Sequence, residues 1–199
     1  MKKGHDIRNV VQQINNDVKS KKDYIVTLNA LEVTTSNNTY PNLEFTDAPD
    51  QYSLTDHSMN QLCGKLEIGT QYLRKCLPVS QELVAHNLNF WIKNTKSKEL
   101  MVRTFEEKWG ETFEEKADGS PYQTIREARA ICSNRYKRID NDVVANHSLN
   151  KLMDLGLDIK YSHYDRDTLN ITAVNQKLEG EVYKGDVVQS GITITNSEI

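Results

Sequence analysis

The chain has 199 residues, of which 37% are apolar and 27% charged, and its formal net charge is −3. That length supports one domain or two small ones around a core of ordinary size, and a mean hydropathy of −0.66 describes a polar chain that is still periodic enough to fold. No run of 18 apolar residues exists, which excludes a membrane-spanning helix, and the basic start "MKKGHDIRN" lacks the apolar stretch of a signal peptide, so a cytoplasmic location is expected.

Within residues 4–20, Ile7, Val10, Val11, Ile14 and Val18 fall on one face of an amphipathic helix, which the charged "KSKKD" ends. Residues 1–22 are therefore read as an N-terminal helix, set apart from a single α+β domain over 23–199. "YIVTLNALEVTT" (24–35) is β-rich with apolar residues on both faces, which predicts a strand covered on both sides. "SNNTYPNLEFTDAPDQ" (36–51), with two prolines, reads as loop.

A helical layer over residues 54–95 follows. Thr55 or Asp56 is the expected cap of a helix whose stripe is Met59, Leu62, Cys63 and Leu66. A short helix runs from Thr70 to a stop before Pro78. Ser80 caps a third helix, with Leu83, Val84, Leu88, Trp91 and Ile92 on one face.

From Leu100 the period changes to two. "ELMVRTF" (99–105) and "ARAICS" (128–133) read as partner strands, separated by an acidic insertion at about 106–124. "DNDVVANHSLNKLMDLG" is a helix capped by Asp140 or Asn141 and stopped by Gly156. "DIKYSHYD", "TLNITAVN" and "DVVQSGITIT" are strands. Helices and strands that do not alternate strictly indicate α+β: a helical layer packed on a mixed or antiparallel sheet.

The residues with the clearest chemistry lie between the two halves. From Arg126 to Arg138 there are five positive side chains, Arg126, Arg129, Arg135, Lys137 and Arg138, against one carboxylate, Glu127, with Tyr136 among them. Guanidinium forks match phosphate geometry, and a tyrosine can stack on an unpaired base. These six residues are the candidate nucleic-acid site. The competing reading is an internal network in which Arg126 and Arg129 pair with Glu127, Asp140, Asp142 or the acidic insertion. The net charge of −3 counts against a dedicated binder. The insertion "EEKWGETFEEKAD" (106–118), with six carboxylates and two lysines, could fold over the basic turn as an internal phosphate mimic; a solvated excursion packed on Trp109 and Phe113 is the plainer alternative.

Other chemistry is thinly marked. In a strand, Tyr161, His163, Asp165 and Asp167 would share a side that suits a metal, but "DRD" reads as a turn that breaks the alternation. His57 is expected to face solvent, and neither His86 nor His147 has a partner spacing that specifies catalysis. Cys63, Cys76 and Cys132 are odd in number and unpaired in spacing, which argues against disulfides and zinc. "GKLEIGT" lacks the end of a P-loop, and no Gly-x-Ser-x-Gly elbow occurs. No enzyme, cofactor or metal is expected. "KGDVVQSGITITNSE" (184–198) is by default a structural hairpin, with self-association through an exposed edge as the alternative.

Five blocks in order, "YSLTDHSMNQLCGKLEIGTQYLRKCLP", "QELVAHNLNFWI", "LMVRTF", "RAICSNRYKRIDNDVV" and "GDVVQSGITITNSE", resemble the phage/plasmid-like family of uncharacterised proteins, over about Tyr52 to Glu198. The resemblance implies a mobile-element origin and brings no activity with it. The chain departs from the family in its long acidic insertion and in stopping at Ile199, before the family's second half, so either a shortened member or a truncated piece of a longer one is expected. The combined expectation is a phage- or plasmid-encoded nucleic-acid-binding protein of the host cytoplasm, favouring single-stranded DNA. The alternative is a protein–protein interaction module, a host-system inhibitor or a self-assembling phage component, with the acidic arm and its Trp109 and Phe113 as the contact.

Overall fold

A computed structural model describes residues 6–46, 48, 50–108, 124–165, 168–184 and 186–197. The fold is α+β. In chain order the elements are α1 (Ile7–Ser20), β1 (Lys21–Thr27), a 3₁₀ turn (Leu28–Ala30), β2 (Leu31–Thr34), β3 (Asn42–Phe45), β4 (Tyr52–Leu54), α2 (Asp56–Leu66), α3 (Thr70–Cys76), α4 (Gln81–Asn94), β5 (Glu99–Lys108), β6 (Thr124–Ser133), α5 (Asn141–Asp154), β7 (Asp158–Tyr164), β8 (Leu169–Tyr183) and β9 (Asp186–Asn196).

The chain divides into two compact units, residues 20–136 and residues 1–19 with 137–199. This differs from the expectation of a lone N-terminal helix beside one domain. The reason is hydrophobic: Val10 and Ile14 of α1 are buried in one cluster with Ala145, Leu152, Leu169, Ile171 and Ala173, so the first helix belongs with the last third of the chain.

The first unit holds a six-stranded mixed sheet in the order β1-β5-β6-β4-β3-β2, antiparallel throughout except for the β4–β6 pair. β1 and β2 are opposite edges, yet only three residues join them. Five inter-strand gaps of about 4.8 Å would set the edges of a flat sheet about 24 Å apart. The few residues of the turn span about 14 Å at most, so the sheet curls. The single strand expected over 24–35 is thus two, broken where Leu28 N–H donates to Lys98 O at 2.9 Å. Ile25 is exposed, so β1 is not covered on both sides as expected. β3 and β4 fall in or beside the stretch expected to be loop; at four and three residues they are too short to show a period beside Pro41 and Pro49.

The helical layer lies where the sequence placed it, with α2 against β6 and β4 and α4 against β2. Met59, Leu62, Cys63, Leu66, Val84, Leu88 and Ile92 are buried with Leu43, Tyr52, Val102 and Ile131, whereas Leu83 and Trp91 of α4 are exposed. Thr55 caps α2 in a reciprocal box with Ser58. The helices also seal strand edges. Asn89 of α4 accepts from Val33 N–H and donates to Val33 O, both at 2.8 Å, as a neighbouring strand would. Gln61 of α2 accepts from Ile131 N–H at 2.6 Å, beyond the reach of short β4.

The second unit is a β7-β8-β9 meander with α1 and α5 contributing to its core. Asp140 is the N-cap of α5, and Gly156, at φ +64°, ends it in the left-handed conformation that glycine accepts without strain. Gly191 is needed for a different reason. A Cβ there would lie 3.0 Å from Ala173 O and 3.1 Å from a Val174 methyl on β8.

Candidate nucleic-acid interface

The six residues expected to hold nucleic acid do not form one surface. Arg126, on β6, sits across from Glu106 of β5, and its Nε lies 2.6 Å from Glu106 Oε1 and 3.2 Å from Asp50 Oδ2. The hydrogen bond to Glu106 raises the pKa of this guanidinium, and Asp50 adds to the effect. Arg129 is skipped by the β5–β6 pairing, because Arg103 faces Ala130 and Thr104 faces Ala128. Its side chain is buried, with Nε 3.2 Å from Glu127 Oε2 and its guanidinium carbon 4.0 Å from the centre of the Phe105 ring. For these two arginines the internal network holds: Arg129 pairs with the expected Glu127, and Arg126 with Glu106, the first residue of the acidic stretch, and with Asp50. Arg129, buried and paired, is withdrawn from any phosphate, whereas Arg126 is paired with carboxylates but only half-buried.

The others lie in the connection after β6. Tyr136 N–H donates to Ser133 O at 3.0 Å and closes a turn that presents Asn134 and Arg135. Arg135, Lys137 and Arg138 are exposed and Tyr136 is half-buried. Arg135 and Lys137 form no ion pair among the described residues. Lys137 and Arg138 open the second unit, whereas Arg135 and Tyr136 belong to the first.

The turn is not alone at its end of the sheet. Leu100 pairs with Ser133, so the loop before β5 and the turn after β6 emerge side by side. That loop carries Lys96 and Lys98. Lys98 Nζ donates to Lys65 O at 2.6 Å, which fixes it against the last turn of α2. A backbone carbonyl satisfies the hydrogen bond and leaves the charge unneutralised. Burial pushes the Cys132 thiol pKa up, and the positive charges of Lys65 and Arg103 oppose that rise. Glu99 at the start of β5 accepts from Asn134 Nδ2 at 2.7 Å, which ties the two loops together. This end of the sheet thus gathers Lys65, Lys96, Lys98 and Arg135 against Glu67 and Glu99. Sequence reasoning missed the three lysines, because only strand register brings residues 65, 96–98 and 135 to one place.

No protein-family model, curated protein or solved structure matches this chain.

Deeper in the same sheet, Arg103 is fully buried and forms a two-pronged pair with Asp23 across β5 and β1, at 2.8 and 2.9 Å. Its bidentate geometry is that of a structural clamp. In the second unit, Tyr161 and His163 share a side of β7 as alternation predicts, with ring centres 6.4 Å apart. His163 Nε2 lies 3.1 Å from Asp165 Oδ2, and Asp165 accepts from Thr168 N–H at 2.8 Å in a turn. Asp167 lies outside the described residues. Among the described residues no three metal-ligating side chains come together. His57, expected in solvent, is half-buried with Nε2 2.8 Å from Gln61 Nε2. His86 and His147 are exposed. No helix among the described residues is long and apolar enough to cross a membrane.

Proposed function

We propose that this is a phage- or plasmid-type protein of the host cytoplasm that binds nucleic acid, favouring single strands, and does so without catalysis. The observation that carries the reading is the ammonium of Lys98, held on the Lys65 carbonyl at the same end of the sheet as the turn that carries Arg135, with its charge unmatched by a carboxylate among the described residues. Cations spaced along one end of a rigid sheet attract successive phosphates, and the condensed counter-ions they displace drive binding. Half-buried Tyr136, in the turn itself, is the ring on which an unpaired base would stack.

A gel-shift assay against single- and double-stranded DNA tests the reading. Single strands are expected to bind more tightly. Tyr136→Ala should weaken single-strand binding by about 1–3 kcal/mol while changing duplex binding little. Equal loss on both forms would remove the single-strand preference.

The rival protein-contact reading placed its anchors at Trp109 and Phe113, which lie outside the described residues. A different observation favours a protein contact elsewhere: the exposed apolar side chains of the β8–β9 hairpin.

A further inference from the structure

We propose that two copies of this chain associate through β9, joining their three-stranded sheets edge to edge into one six-stranded sheet. β9 is an edge strand, with β8 on one side and no strand of the described residues on the other. Its run "VVQSGITITN" (187–196) contains no charge and no proline, the devices that usually keep an edge from pairing.

The face of this hairpin strengthens the case. Ile171 pairs with Ile194 and Ala173 with Ile192, on the side packed against the core of the unit. Two-residue alternation along β9 carries the same side outward to Val188, opposite Gly180. β7 pairs with β8 only as far as Val174, so the outer half of the hairpin runs on beyond its neighbour. There Ile192 is 47% exposed, Val188 50% and Val182 62%, with Leu178 and Tyr183 exposed nearby. The apolar side of the sheet thus continues past the residues that cover it.

A second copy suits this edge because the edge matches itself. In an antiparallel register centred on Gly191, where no side chain intervenes, Val188 comes beside Ile194 of the other copy. Asp186, the one charged residue of β9, meets an Asn196 rather than a like charge. The arrangement is two-fold and closes on itself.

Sedimentation velocity of the full chain, without nucleic acid, across a wide concentration range is the test. The wild type is expected to shift from monomer to dimer as concentration rises. V188K and I192K, placed where solvent already reaches, are expected to remain monomers with unchanged circular dichroism. In the wild type, amide exchange over β9 should also slow with concentration while that of β7 does not. A wild type that is monomeric throughout, variants as dimeric as the wild type, or β9 exchange that ignores concentration would each overturn the proposal. None of these results bears on the basic end of the sheet.

Discussion

Two buried groups make opposite demands on this protein. Arg103 has no contact with solvent, and its charge is tolerable because Asp23 meets it with two hydrogen bonds. Removing one member leaves the other buried and uncompensated, so R103A should lower stability by about 3–5 kcal/mol in urea denaturation. The paired change Asp23→Ala with Arg103→Met should recover most of that loss, because it removes both charges. A single variant as stable as the wild type would show that the pair is dispensable. Cys63 is neutral and wants to stay so, since burial pushes its thiol up to about 11 from the ordinary 9. The unfolded chain then loses this proton first as pH rises. Any stability contributed by the neutral thiol is full below about pH 9 and declines between about 9 and 11. C63A should flatten that alkaline decline. At pH 8, Cys63 should also resist a thiol reagent in the native protein and react after denaturation.

At the scale of elements, the fold depends on amide side chains that stand in for missing strands. Val33 is buried at the edge of the curled sheet, and Asn89 supplies both of its hydrogen bonds from α4. N89A leaves a buried donor and acceptor without partners, and a loss of about 2–4 kcal/mol in unfolding free energy is expected. Aggregation measured by light scattering should increase, because the edge of β2 is then open. A loss below about 0.5 kcal/mol would mean that water or another side chain replaces the amide. Much at this scale was legible in the sequence. The stripe through Met59, Leu62, Cys63 and Leu66 named the buried side of α2, and the caps Thr55 and Ser80 placed two helix starts correctly. The edge devices were not legible, because a glutamine or asparagine inside a helix carries no sign of the strand it will meet. β3 and β4 escaped for a related reason: their pairing depends on partners across the sheet, while their own few residues look like loop.

For the whole molecule, the sequence suggested a single basic cluster, and folding redistributes it. Arg126 and Arg129 are neighbours in the chain of residues that matter, yet β6 turns them into ion pairs with Glu106, Asp50 and Glu127. Lys65 and Lys98, remote from the cluster in sequence, arrive at the same end of the sheet as the turn carrying Arg135, because Lys98 docks on the last turn of α2 and Leu100 pairs with Ser133. The division into two units was hidden as well, since α1 and β8 are separated by most of the chain and share one cluster through Val10, Ile14, Leu169, Ile171 and Ala173. The account rests on the gathered cations, so the slope of log K against log salt for single-stranded DNA, read by fluorescence anisotropy, tests it most directly. Each phosphate contact contributes about 0.7 to that slope, so the K98E/R135E double variant should bind more weakly and with a slope shallower by about 1.4. Binding by the wild type that ignores salt, or a double variant with unchanged affinity and slope, would contradict the account.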